Sequence, residues 1–481
     1  MCPLFSKLCS ATFLEIGSAV VWKSLILMIV AGLAACAQLP EFQRPPLPVP
    51  KEWADQTLDK PQLAIKTHWR AFFTDPQLHA LIEVALENNR DMRIAAARVL
   101  EARAQYGVAK ADLGPTVNLL GMGNLTRTSS DLSGIGAPLT SQRFDLQLSA
   151  VSFELDFWGR VANLSESARL SYLATEESRR LVYLSLVADV ATSYFTLLQM
   201  RELAAIERST LGLRELSLAL IATGQALGGA SDFEFQQATG MAESTRGNLA
   251  NLEYQQAVAV NRLNFLLGNT AFKWQPGAGL NQQGLDSEMA PGLPAEVLLL
   301  RPDVLAAEQR LMAAHANIGA ARAAFLPKVV LTTALGLASQ GLAGLFSGGA
   351  WSFQPLISLP LFDGGRTAAG VDLAQAREVV AVAEYERSIQ VAFREVADLL
   401  ASRLSLARQL DAARIFAQAQ ARRLEIAQGR FDAGMIGYLD VLEAQRDINS
   451  ARQQAAQLRR AQLESTVQLY KALGGGDDVA K

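Results

Sequence analysis

The chain has 481 residues and a formal net charge of −3, with 50% apolar and only 19% charged residues. This balance leaves no basic face for nucleic acid, and low charge with abundant alanine suits long, close-packed helices. The three histidines, His68, His79 and His315, stand far apart without metal-ligand spacing. No Gly-x-Ser-x-Gly elbow or phosphate loop occurs, so catalysis, a resident metal and a cofactor are not expected.

Lys23 precedes an apolar run, Ser24 to Ala35, that ends in small residues before Cys36. This is the layout of an export signal, and the run is shorter than the ~20 residues of a membrane-spanning helix. Leu33-Ala34-Ala35-Cys36 resembles a bacterial lipobox, whose cysteine is acylated and becomes the mature N-terminus. Several acyl chains on Cys36 would anchor the protein stably to lipid. Ala37, in place of Asp, implies sorting to the outer membrane. Cys2 and Cys9 lie upstream of that point, so no disulfide is expected in the exported chain. Glu15 and two cysteines ahead of the basic residue fit a signal poorly, and the expected translation start is Val20 or Val21.

Pro40, Pro45, Pro46, Pro48 and Pro50 make the next stretch extended. A helix is predicted over Asp75–Asn88, and a second over Asp91–Leu113, stopped near Pro115. The apolar period then falls to two. Val117, Leu119 and Leu125 alternate with Asn118 and Asn124; Phe144, Leu146 and Leu148 alternate with Asp145, Gln147 and Ser149. A Ser- and Gly-rich loop is expected between them, over Ser129–Ser141. Beyond lies a long helical stretch ended by Gly224, Gly228 and Gly229, then a return helix over Asp232–Leu267.

All of this is written twice. Asp91–Pro115 and Asp303–Pro327 agree at nine of twenty-five positions at an offset of 212, among them Arg98/Arg310, Gly107/Gly319 and Pro115/Pro327. Leu155, Gly159 and Arg160 return as Leu361, Gly365 and Arg366 at an offset of 206, as do Gly228 and Ala238 in Gly434 and Ala444. The chain is one unit of roughly 200 residues duplicated. In the second half Val329, Leu331 and Leu335 alternate with Thr332 and Ala334, and Trp351, Phe353 and Ile357 with Ser352, Gln354 and Ser358. Thr367–Asp432, 66 residues without proline, would span about 99 Å as one helix. Val396, Leu410, Ala417, Leu424 and Phe431 form one heptad ladder in it, and Leu399, Leu406, Ala413 and Ala427 another. Gly429, Gly434 and Gly437 end it before a return helix over Tyr438–Leu473.

Each half thus supplies two strands of about ten residues, the length of a tilted transmembrane strand, and one helical hairpin. Four strands cannot close a barrel, and an open sheet edge in lipid leaves backbone groups unpaired. Copies sharing a barrel would solve this; three copies supply twelve strands. The expected organisation is a signal over 1–35, an anchored tail over 36–74 and a first repeat over 75–270. That repeat has strands near 116–128 and 142–153 and a hairpin near 160–268. A linker over 271–300 follows, then a second repeat over 301–473 with strands near 328–339 and 351–359 and a hairpin near 367–473, and a flexible tail over 474–481.

Five motifs carry a resemblance: Ala85-Leu86-Glu87-Asn88-Asn89-Arg90-Asp91, Phe153-Glu154-Leu155-Asp156-Phe157-Trp158-Gly159-Arg160, Arg301-Pro302-Asp303-Val304, Ile318–Pro327 and Leu469–Gly476. In this order, on a duplication, they make the chain after Cys36 resemble the TolC-like outer-membrane efflux factors, in their lipoprotein branch. The resemblance implies a homotrimer with a twelve-stranded β-barrel and a periplasmic α-helical tunnel. It also implies docking, through a periplasmic adaptor, on an inner-membrane pump, with drug or other small-molecule efflux as the function. Matched onto the family's pattern after the second turn, Leu439, Asp440, Glu443 and Arg446 would narrow the tunnel entrance, with Glu443 and Arg446 on one helix face. Gly228, Gly229, Gly434, Gly437 and Tyr438 would meet the adaptor, although a helix C-cap and turn also explain such glycines. Protein secretion or metal efflux remains open for the same channel. A structural coiled-coil lipoprotein without a pore accounts for the helices but not for strands placed twice.

Overall fold

The computed structural model describes residues 42–50, 68–268, 277–285 and 298–475, which fall into two compact units. Cys36, the signal, most of the anchored tail and much of the expected linker lie outside the described residues. In chain order the elements are α1 (Trp69–Phe72), α2 (Pro76–Asn88), α3 (Arg90–Ala111), β1 (Val117–Thr128), β2 (Leu139–Glu154), α4 (Arg160–Ala226) and α5 (Asp232–Leu267). Then come α6 (Pro302–Ala323), β3 (Lys328–Ser339), β4 (Gly349–Ser358), α7 (Arg366–Asp432) and α8 (Tyr438–Ala472). The order of strand pair and long hairpin, twice, is the one the alternating periods imply.

One unit comprises Leu100–Thr175 and Ala307–Tyr385 with the segment up to Pro46. Its four strands form one antiparallel sheet in the order β1-β2-β3-β4. The register aligns like with like, because residues directly opposite one another share a face. Leu119, Leu148, Leu335 and Trp351 form one cross-sheet row; Asn118, Ser149, Ala334 and Ser352 form the next. The apolar face is the exposed one: Leu148, Leu335 and Trp351 are 54%, 68% and 78% exposed, against 8% for Asp145 and 3% for Ser149 on the polar face. A water-soluble sheet does the reverse. Neither β1 nor β4 has a second strand neighbour among the described residues. The loop expected over Ser129–Ser141 is shorter, because β2 begins at Leu139.

Gly336 lies where β3 passes closest to β2. A Cβ there would run into the Leu146 carbonyl oxygen and come within 2.5 Å of the Gln147 Cα. Beyond Ala150 the register slips at a bulge containing Ser152, a non-glycine residue at φ +57°. The strand-to-helix turns use left-handed backbone at Gly159 (φ +72°), Gly364 (φ +66°) and Gly365 (φ +87°). Trp158 Nε1 donates to the Pro327 carbonyl at 2.8 Å, and Glu154 holds Arg160 at 2.7 Å and Lys328 at 3.0 Å. Together these fix the sheet's end to the starts of the helices.

The duplicated helices differ in their surroundings. On α6, Ala313, Ala316, Ala320 and Ala323 are buried, and a Cβ on Gly319 would press on the Asn163 side chain at 2.7 Å. On α3 the matching Gly107 faces open space, and Leu100 and Val108 are 65% and 69% exposed. His315 Nδ1 sits 2.6 Å from Glu378 Oε1 and its ring meets Phe42 edge-on, a structural placement.

The other unit comprises Leu47–Val99, Glu176–Ala306 and Glu386–Lys481. Its core gathers Phe72, Phe73, Leu81, Tyr194, Leu197, Leu267, Val467 and Tyr470, with the Phe72 and Tyr470 rings stacked at 4.4 Å. Asp75 caps α2 by accepting from the Gln77 N–H at 2.9 Å, ahead of Pro76 in the first turn. The same buried carboxylate accepts from Tyr194 Oη and Gln283 Nε2, each at 2.7 Å. Burial, then the hydrogen bond to Asp75, push the Tyr194 phenol up from its ordinary value. The heptad ladders are buried in part: Val396, Leu410, Ala413 and Ala427 are enclosed, as are Val190, Leu197 and Ala204 in the first repeat, while Phe431 at the ladder's end is exposed. Off the ladders, Ile415, Phe416 and Ile426 remain about half exposed.

Candidate gate and docking turns

The two hairpin ends are closed by the same backbone device. Gly228 (φ +74°) and Gly434 (φ +71°) are left-handed, a conformation costly to other L-residues. The following amides then reach back into the helix: Gly229 N–H to the Gly224 carbonyl at 2.8 Å, and Met435 N–H to the Arg430 carbonyl at 2.9 Å. Ser231 opens α5 with a capping box. Its hydroxyl accepts from the Glu234 N–H at 3.2 Å, while the Glu234 carboxylate accepts from the Ser231 N–H at 2.7 Å. The bond from the Ser231 N–H, and then one from the Ser231 hydroxyl to the same carboxylate oxygen at 2.9 Å, hold the exposed Glu234 carboxyl below the usual range. Gly437 caps α8 at φ −75° without a side-chain bond. Backbone geometry therefore requires glycine at 228 and 434 but not at 229 or 437.

Tyr438 joins the two hairpins. Its hydroxyl hydrogen-bonds to Ser217 Oγ of α4, and its ring packs on Phe431 at 5.3 Å. Val441 and Ala444 are fully buried beside Ala427 on the next turn. Gly437, Tyr438, Leu439 and Leu442 on one side, and Leu220, Gly224 and Gln237 on the other, line a cavity of about 550 Å³. The structure thus gathers Gly437, Tyr438 and Leu439 around one groove; Gly228, Gly229 and Gly434 do not line it.

Asp440 and Glu443 point into solvent, three residues apart on α8, and Leu439 is 51% exposed. Arg446 does not close on Glu443. It lies 3.3 Å from Asp447, which Arg423 of α7 holds at 2.6 Å. The Arg423 hydrogen bond keeps the Asp447 carboxyl below the ordinary carboxylate range. A carboxyl lowered by folding stabilises above its unfolded pKa and loses that contribution as pH falls through its folded value. The sequence gives no sign of this link, nor of Ser217 as the partner of Tyr438, since each joins residues on different helices. Among the described residues, no group of three His, Cys, Asp or Glu side chains could hold a metal ion.

A model of the family described as outer membrane efflux protein matches residues 81–269 and 293–475. The cation efflux system protein CusC of Escherichia coli is 40% identical over 460 residues, covering 94% of this chain and 98% of that protein. The toluene efflux pump outer membrane protein TtgI of Pseudomonas putida is 40% identical over 468 residues, covering 96% and 99%. The open-state crystal structure of the Neisseria gonorrhoeae MtrE outer membrane channel superposes with a TM-score of 0.84 at 34% identity, covering 91% of this chain and 98% of that one. With its inside-out four-stranded sheet and long helical hairpins, the chain belongs to the outer membrane efflux protein family and serves as the outer-membrane channel component of an efflux system.

Proposed function

We propose that three copies of this chain close one twelve-stranded barrel and pass small organic molecules passively from a periplasmic adaptor and inner-membrane pump to the exterior. The carrying observation is the sheet. Its apolar face carries the exposed Leu148, Leu335 and Trp351, its polar face the buried Asp145 and Ser149, and among the described residues neither edge strand has a second neighbour. In lipid each unpaired edge group costs several kcal/mol, so only closure among copies satisfies β1 and β4. The bare flank of α3 supports the same reading, because its duplicate α6 is covered. Acylation at Cys36 holds the assembly in the outer membrane.

The groove beside Tyr438 and the turns at Gly228, Gly229, Gly434 and Gly437 are where an adaptor's helices dock. Leu439, Asp440, Glu443 and Arg446 narrow the periplasmic entrance, and the exposure of both carboxylates supports this. The relatives are named for cation efflux and for toluene efflux. The conduit conducts what the pump delivers, and nothing in it requires chemistry on the cargo. The test is reconstitution of the purified protein. A heat-modifiable band on SDS gels together with ion conductance in planar bilayers is expected. A water-soluble particle without conductance would end this reading.

A further inference from the structure

We propose that Arg143 and Asp145 form a charge-balanced collar in the barrel wall that sets the ion selectivity of the bore, with Arg143 the determining residue. The proposal rests on copies closing the barrel, as read above. The two residues are neighbours on one face of β2. Register sets Asp145 between Met122 of β1 and Ala338 of β3, and Arg143 opposite Asn124. This is the polar face, the one with Gln147, Ser149, Thr332, Ser352 and Gln354, which lines the bore once the apolar face meets lipid. Along that face, away from the strand ends, every other side chain is uncharged. Glu154 and Lys328, the remaining charges, sit at the end where Arg160 joins them.

The pair is built as a fork. Arg143 Nε reaches the two carboxylate oxygens at 3.0 and 2.9 Å, and Nη2 reaches Oδ1 at 2.9 Å. The aspartate lies down in the wall while the arginine side chain stays 67% exposed. A pair with one arm in water adds little to stability, so stability alone does not account for two charges in an otherwise neutral wall. Position does. A bore with low-dielectric walls focuses the field of any fixed charge, and a ring of like charges selects its counter-ion. Balanced, the collar leaves this level of the bore indifferent to the sign of the solute. Unbalanced, three copies would present a ring of one sign.

The experiment is reversal potential across planar bilayers in a potassium chloride gradient, using the full acylated trimer. It is run in the wild type and in an Asp440→Ala, Glu443→Ala background, where the entrance charges no longer dominate. Arg143→Gln should raise the potassium-to-chloride permeability ratio several-fold. Asp145→Asn should lower it, and the two together, like Arg143→Lys, should restore the starting value. Opposite signs from the two single variants are what a merely structural pair would not give. The heat-modifiable band checks assembly of each variant; if one fails to assemble, the other single variant and Arg143→Lys decide. Conductance with an unchanged reversal potential would overturn the collar alone. Absence of conductance in the wild type would overturn the barrel reading and the collar with it.

Discussion

Position 336 admits no side chain. The next strand's carbonyl oxygen at Leu146 and the Gln147 Cα already occupy the space a Cβ would take. Gly336→Ala must push β3 off β2 or bend both strands, a crowding cost of about 1–3 kcal/mol. The heat-modifiable band of this variant is expected to convert to monomer at a clearly lower temperature than that of the wild type. An unaltered conversion temperature would mean that the strands are not packed this closely. In the sequence Gly336 is only one small residue in an alternating run, because what crowds it lies on β2, far upstream. Gly121 and Gly123 look similar but differ. A Cβ at Gly121 would make an ordinary contact at 3.9 Å, and at Gly123 it would press on the Phe144 ring at 3.3 Å. At the hairpin ends the glycines were legible as C-caps, since a left-handed residue after a long helix is a local requirement. Locality separates the glycines that the sequence explains from those it does not.

Elements follow the same rule. The strands and long helices are visible as periods of two and seven, because each pattern is carried by residues close together in the chain. Helix α1 left no such trace; Trp69–Phe72 is four residues long and is held by packing of Phe72 on Tyr470. The start of β2 at Leu139 is likewise fixed by pairing, Leu139 lying opposite Thr128. Helix α8 shows how far the local reading extends at the candidate gate. Its spacing puts Asp440, Glu443 and Arg446 on one helix face, but it does not show that the arginine turns to Asp447. The two carboxylates on α8 are the ones proposed to act on the entrance. Replacing both, Asp440→Ala with Glu443→Ala, removes up to six negative charges from a ring of three copies. Single-channel conductance in planar bilayers is expected to rise, and cation preference at low salt to weaken. Conductance equal to that of the wild type would remove these residues from the gate.

At the scale of the whole molecule the chain is incomplete in three matching ways. Among the described residues its sheet has two open edges, its first-repeat helix α3 is bare where the second-repeat α6 is covered, and apolar residues off the heptad ladders are exposed. Rotation of one copy onto the next answers all three, because it brings a β4 edge to a β1 edge and second-repeat helices to first-repeat ones. Such head-to-tail contacts must close into a ring to leave no edge. Disulfide trapping tests this directly, since Cys2, Cys9 and Cys36 are the only cysteines in the sequence and the first two precede the expected processing site. A cysteine at Asn124 of β1 is combined in turn with one at Ser352, Gln354 or Leu356 of β4. These lie on the same face of their strands and on opposite margins of the sheet. Within one chain, two intervening strands at about 4.8 Å spacing keep the margins too far apart for a bridge, whose Cα atoms must lie within ~7 Å. Oxidation in membranes should therefore give covalent dimers and trimers, strongest for the partner position that is in register, and no larger ladder. Bands beyond the trimer would indicate an open array, and failure of all three pairs to cross-link would show that β1 and β4 of different copies do not meet.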